Sequence, residues 1–244
     1  MNIHVYTMCY NEEILMPYFL RHYESFAERI FVFDHYSDDN TVKIVNASQK
    51  TTCVPYGIYG EVNDSVLLKM KNEAYKSSRG DADWVMVVDV DEFVYHPNLI
   101  ALLKEYITKG ITLPKTDGCD MVSDEVLSHP GQIYEVIKRG VRDSMFSKRA
   151  VFNPSLDINY FPGAHKCNPS RGFIESDKAD IKILHYRFLS SDFIVKRLET
   201  RTKRLSEENL KRGWGVIKCS GEETLRSRIT REYEERKAAR VQLI

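Results

Sequence analysis

Trp84-Val85-Met86-Val87-Val88-Asp89-Val90-Asp91-Glu92-Phe93 is the stretch from which the fold is read. Residues 85–88 are a short, mostly β-branched apolar run without polar alternation, the pattern of a strand buried on both faces. Three carboxylates follow at once, at Asp89, Asp91 and Glu92. They cannot all ionise in a dry pocket without a counter-charge. A divalent cation is a direct source of it, because hard cations take oxygen ligands, and Mg²⁺ or Mn²⁺ also holds substrate phosphates. The stretch predicts a metal–diphosphate site at the carboxyl end of a sheet strand, where open α/β folds bind ligands. Taken alone, Asp-x-Asp is equally compatible with a solvated turn or a helix cap.

Working outward, the first hundred residues alternate strand and helix signals. Strands are expected at 3–8, 30–33, 54–59 and 85–88. Helices are expected at 11–26, with Pro17 in its early turns, at about 40–47, at 62–78 closed by Gly80, and at 99–107. This rhythm predicts an α/β domain with a mixed, mostly parallel sheet flanked by helices. From 111 to 183, short apolar pieces between Gly, Pro, Asn and Ser predict mixed or antiparallel strands, among them 121–122, 151–152 and 181–184. From Phe188 onward the chain reads as helical and charged, interrupted at Gly213-Trp214-Gly215, with a last amphipathic helix at 222–243. One domain over 1–190 with a helical C-terminal extension over 191–244 is the economical organisation.

Two further polar clusters follow apolar strands. Thr7-Met8-Cys9-Tyr10-Asn11-Glu12-Glu13 ends the first, and Asp34, with Ser37, Asp38, Asp39 and Thr41, ends the second. In a parallel sheet both fall on the same edge as Asp89 and Asp91. Caps and core packing explain each cluster singly, but not their convergence. The order strand-T-x-x-Y-N-E-E, strand-D-x-x-S-x-D-x-T, strand-D-x-D-E-F resembles the glycosyltransferase family 2-like enzymes of the GT-A fold, of the type found in bacterial polysaccharide biosynthesis. The likeness is close over residues 1–100 and weaker beyond.

The resemblance implies a glycosyltransferase that moves a sugar from a nucleotide-diphosphate sugar, a UDP-sugar in the first instance, to a hydroxyl acceptor with inversion. It implies that Thr7, Tyr10, Asn11 and Asp34 bind the nucleoside and that Asp89 faces the ribose. Asp91 is then the leading ligand of Mn²⁺ or Mg²⁺. Many members carry a second acidic residue after the strand-two Asp; this chain has His35. The family also has a basic residue and an Asn before the Asp-x-Asp strand, and Lys69 and Asn72 are three apart and share a helix face. His185 is the expected third metal ligand, and His165 is expected near the diphosphate or the acceptor. Lys148 and Arg149 are candidates to neutralise phosphate, with surface charge as the alternative. The catalytic base is expected within residues 120–125, at Asp124, with Asp120 and Glu125 as competitors.

Composition sets outer bounds. A 244-residue chain with 43% hydrophobic and 29% charged residues is an ordinary globular protein able to bury a core. Five irregularly spaced cysteines without a CxxC argue against a zinc ribbon and for reduced thiols in the cytoplasm. No signal-peptide pattern or transmembrane run of about 18 apolar residues is seen. From Lys196 onward, fourteen basic residues face eight acidic ones. Lys196, Arg197, Arg201, Lys203, Arg204, Lys211 and Arg212 read chiefly as a solvated helix pair. The other reading is peripheral contact with the inner face of an anionic membrane, where a glycan or lipid-linked glycan acceptor would sit. No nucleic-acid recognition motif is apparent. Two rivals stand beside the transferase. One is a nucleotidyltransferase on a related fold, which would want a Gly-rich loop after strand one. The other is a non-catalytic nucleotide-binding or scaffold protein.

Overall fold

The computed structural model describes every residue except 125–128, 218 and 220–222; Glu125 and Glu222 therefore lie outside the described residues. The chain opens with β1 (Ile3–Cys9), α1 (Met16–Glu24) and β2 (Arg29–Asp34). Next come α2 (Thr41–Asn46), β3 (Thr51–Pro55), α3 (Asp64–Glu73) and β4 (Trp84–Val87). The middle holds β5 (Glu92–Tyr95), α4 (Leu99–Thr108), β6 (Thr116–Val122), α5 (Ile133–Val136), β7 (Arg139–Arg142) and β8 (Val151–Phe152). It ends with β9 (Ile181–Phe188), α6 (Ser191–Thr202), α7 (Glu207–Arg212), α8 (Leu225–Ala239) and β10 (Val241–Gln242).

These strands make two five-stranded sheets, not one. In the first, ordered β3-β2-β1-β4-β8, all neighbours are parallel except β4 and β8. This is the expected mostly parallel α/β sheet. In the second, ordered β10-β7-β6-β9-β5, only β6 and β9 are parallel. Both sheets share one core, in which Trp84, Val5 and Ile30 meet Phe93, Ile183 and Leu184. Tyr23 of α1 fixes the junction: its hydroxyl donates to the Glu92 carbonyl at 2.8 Å and accepts from the Val94 amide at 3.0 Å. A buried phenol would otherwise leave polar atoms unpaired.

Several expected boundaries move for local reasons. β3 ends at Pro55, earlier than expected, because the chain then turns through Gly57 and Gly60 at φ +75° and +77°. α3 begins after Asn63, whose side chain accepts from the amides of Ser65 and Val66, and residues 74–78 tighten into a 3₁₀ turn. α1 starts only at Met16, because the amides of residues 11–13 bond to the side chains of Ser37, Thr41 and Asp39 instead of to a helix.

Two features of register build the site. β1, β2 and β4 run parallel, with Cys9 beside Asp34 and Tyr6 beside Val87, so their carboxyl ends share one edge. In the second sheet Glu92, His185 and Asp120 are direct neighbours across β5, β9 and β6. The segment Asp89-Val90-Asp91 is thus the crossing from one sheet to the other.

α6 and α8 pack on β6 and β9 around Val122, Phe188, Ile194, Val195, Ile229 and Tyr233. No helix among the described residues is long and apolar enough to cross a membrane.

Candidate functional site

The strand edge opens into a cavity of about 580 Å³. Tyr10, Asn11, Asp89, Asp91, Lys148, His165 and His185 line it, as the sequence leads one to expect. The counter-charges, however, come from the protein itself. Asp89 accepts from Lys71 at 2.6 Å and from Lys148 at 3.2 Å. Lys148 also pairs with Glu92, whose side chain is only 1% exposed. Arg197 of α6 donates to Asp91 at 2.8 Å and pairs with Glu12, bridging the ends of β4 and β1. The buried carboxylates are thus compensated within the chain, by two lysines and an arginine.

These pairs set the protonation states. Burial opposes ionisation of Asp89, but Lys71 and then Lys148 outweigh it and hold the carboxyl below its usual range. Burial likewise opposes ionisation of Asp91, and Arg197 followed by His185 keeps it well below. Burial would make His185 neutral, yet Asp91 and Asp120 raise it to about 9. Glu12 goes the other way: burial, only partly offset by Arg197, pushes it up to about 7.

His185 has the setting of a metal-ligating imidazole. Its Nδ1 lies 2.7 Å from Asp120 Oδ1, and Asp120 is fully buried. That contact fixes the ring and leaves Nε2 facing Asp91 Oδ1 at 3.7 Å. Among the described residues no group of three or more His, Cys, Asp or Glu side chains is gathered for a metal. The protein thus offers two donors, a set that fits a Mg²⁺- or Mn²⁺-type ion completed by substrate oxygens and water.

Several expected residues are placed elsewhere. Lys69 is exposed and does not line the cavity, whereas Lys71 does. Two residues along a helix turn the side chain by about 200°, so only one of the pair can face Asp89. Asn72 is used structurally: its side chain accepts from the Tyr160 amide at 2.7 Å and donates to the Tyr160 carbonyl at 3.3 Å. Thr7 is wholly buried within β1, its hydroxyl unpaired and away from the cavity. Asp34 lies beneath the lining, capping the Ser37 amide at 2.9 Å. Asn11, at φ +52°, spends its amide on Asp38. Asp124 lies outside the lining, where Arg240 and Lys237 of α8 hold its carboxyl to about 2. A carboxylate so strongly paired is a poor base. Arg149 pairs with Glu175 instead of facing the cavity.

The sequence leaves open which way α6 and the turn after it, at 203–204, face. Arg197, Arg201 and Arg204, spaced by four and three, put three guanidiniums into the cavity wall in place of the expected solvated face. Arg201 is 2.7 Å from Asp64. Arg204 lies 3.2 Å over the Tyr10 ring and donates to His35 Nδ1 at 2.5 Å. His35 also packs on Tyr56, and a Cβ at Gly57 would come within 2.6 Å of its ring. The helical 4-3 spacing was the available signal; nothing in the sequence says which way that stripe faces.

No family model matches the chain, and no curated protein matches it. Solved structures similar to it include proteins crystallised with uridine nucleotides. Glucosyl-3-phosphoglycerate synthase from Mycobacterium tuberculosis, in complex with Mn²⁺, UDP and glucosyl-3-phosphoglycerate, is 19% identical over 48% of this chain and 44% of its own, with a TM-score of 0.34. S. aureus TarS 1-349 in complex with UDP-GlcNAc is 14% identical over 98% of this chain and 73% of its own, with a TM-score of 0.44. S. aureus TarS is 16% identical over 97% and 43%, with a TM-score of 0.43. The chain spans less than half the length of the synthase and of TarS.

Proposed function

We propose that this chain is a glycosyltransferase of the GT-A type, transferring a sugar from a nucleotide-diphosphate sugar, a UDP-sugar in the first instance, to a hydroxyl acceptor. The observation that carries the reading is the convergence of Asp89 and Asp91 with Lys71, Lys148, Arg197, Arg201 and Arg204 in one cavity at the carboxyl edge of a parallel sheet. A diphosphate needs several positive charges, and guanidinium groups match phosphate geometry. The aromatic end, with Tyr10, His35 and Tyr56, suits a base, and the carboxylates suit ribose hydroxyls and a metal. A volume of about 580 Å³ suits a ligand of nucleotide-sugar size.

In this reading Asp91 and His185 hold Mn²⁺ or Mg²⁺, which when bound offsets charge on the departing diphosphate. Arg201, Arg204 and Lys71 bind and orient the phosphates. Residues 1–190 form the donor-binding unit, and the 191–244 extension closes it by supplying Arg197, Arg201 and Arg204. The acceptor is a glycan or lipid-linked glycan of surface-polysaccharide synthesis. The exposed Lys203, Lys211 and Arg212 are the residues through which peripheral membrane contact would be made.

The experiment is nucleoside diphosphate release from UDP-, GDP- and dTDP-sugars, with Mn²⁺, Mg²⁺ or EDTA, for the wild type and Asp91→Asn. Metal-dependent release lost in the variant is expected. Release that survives both EDTA and the substitution contradicts the metal reading, and a wild type inert to all donors contradicts the transferase reading.

A further inference from the structure

With Asp124 outside the cavity, the proton of the acceptor hydroxyl needs another destination. Most carboxylates lining the cavity are engaged. Glu12 and Asp91 hold Arg197, Asp89 holds two lysines, and Asp64 holds Arg201. Glu13 accepts from Asn40, and Asp39 accepts from the amides of Thr41 and Glu13. Glu61 has no such cation, but it belongs to the Ile58 turn beside His35, at the aromatic end. His185 is held between Asp120 and Asp91.

His165 differs from all of these. Its Nδ1 lies 3.2 Å from the Met145 carbonyl oxygen. A carbonyl only accepts, so Nδ1 carries the proton and Nε2 carries the lone pair. The ring stands edge-on to Phe146 at 5.2 Å, and the Phe146 ring packs in turn on His185 at 4.4 Å. His165 is therefore one aromatic ring away from the Asp91–His185 pair. The backbone leading to it is strained at Ala164, which takes φ +56° without glycine's freedom, after Gly163 at +84°. Met145 and Phe161 flank this end of the cavity, 61% and 52% exposed.

We propose that His165 is the general base that takes the acceptor's proton through Nε2. The acceptor O–H bond breaks, its proton passing to Nε2. The oxygen's electron pair forms the bond to the anomeric carbon. The anomeric C–O bond to the diphosphate breaks, and its pair leaves on the diphosphate oxygen. The imidazolium then loses its proton to solvent. Burial, followed by the charge of Lys148, lowers the His165 pKa, against the Met145 hydrogen bond, Glu92 and Asp89, which raise it; Asp143 is the other charge beside it.

The inference rests on the transferase reading, and its test separates the two. Water serves as the hydroxyl acceptor, and nucleoside diphosphate release from UDP-, GDP- and dTDP-sugars is followed against pH. His165→Gln and His165→Asn are expected to lose about 10²–10⁴-fold in turnover, while donor affinity stays within about threefold. The acidic limb of the wild-type pH profile should disappear with them, and Glu61→Gln should keep it. Either His165 variant retaining more than about a tenth of wild-type turnover with that limb intact overturns the inference, as does loss of the limb in Glu61→Gln. A wild type inert to every donor overturns the transferase reading and this inference together.

Discussion

Lys148→Met is the perturbation whose size follows most directly from the structure. The Lys148 ammonium is 7% exposed and serves two carboxylates, Asp89 at 3.2 Å and Glu92 in direct contact. Glu92 is buried, and its remaining partner is the Asp89 amide at 3.0 Å. Replacing the lysine with an apolar chain of similar length leaves Glu92 without its cation in a dry site. Breaking a buried pair from one side costs about 3–5 kcal/mol. For a chain of this size each kcal/mol lowers the melting temperature by about 2–4 °C. The expected fall is therefore about 6–20 °C, measured by circular dichroism on heating and by urea denaturation. The double variant Lys148→Met/Glu92→Gln removes the stranded charge while keeping an acceptor for the Asp89 amide. It should recover at least about half of the loss, a coupling of about 2 kcal/mol. A single variant melting within about 3 °C of wild type would refute the reasoning, and so would a double variant no more stable than the single.

Other expectations follow from the same geometry. In EDTA, stability should fall as pH rises from about 6.5 to 9. The folded-state pKa of His185, about 9, lies above its ordinary value, so its contribution is complete below 6.5 and lost as pH rises through 9. The loss is at most about 3 kcal/mol, and His185→Gln should flatten it. Glu12, raised to about 7, binds its proton more tightly folded than unfolded and adds a fall of the same sign between about 4.5 and 7. Lys71→Met should weaken nucleotide-sugar binding by at least about tenfold in calorimetric titration, whereas Lys69→Met should leave it unchanged. Asp120→Asn should weaken Mn²⁺ binding, read by electron paramagnetic resonance, by about 10–100-fold. Arg236→Met should act in the same direction, because Arg236 of α8 holds the other Asp120 oxygen at 2.6 Å.

Much of the first sheet was legible because its strands are apolar and β-branched and end in polar turns. β1, β2 and β4 lie within a residue or two of their expected bounds, and the shared edge follows from parallel order. The second sheet was legible only in part: 121–122 and 181–184 fall inside β6 and β9, whereas β5, β7 and β10 carry no strand signal of their own. Glu92–Tyr95 reads as the tail of an acidic motif, and only its pairing with β9 makes it a strand. Of the cavity lining, Asp89, Asp91, Lys148, His165 and His185 are legible because strand ends and turn signals mark them. Lys69 and Lys71 cannot be told apart by composition, since helix rotation alone decides between them. Arg197 and Arg201 of α6, and Arg204 just past it, look like a solvated face in the sequence because their direction is set by how α6 packs on β9 and α8, a property of tertiary contact. Asp124 lies paired and outside the cavity lining for a comparable reason: its partners, Lys237 and Arg240, lie more than one hundred residues away in the chain.

The measurement that bears most directly on the central claim is the melting temperature across a panel of UDP-, GDP- and dTDP-sugars, with and without Mn²⁺. A ligand present at about 100 times its Kd stabilises the folded state by about 2.7 kcal/mol. One class of nucleotide sugar should raise the melting temperature by several degrees in Mn²⁺, and Asp91→Asn should abolish the Mn²⁺-dependent part. No shift with any donor, in either condition, would contradict the account.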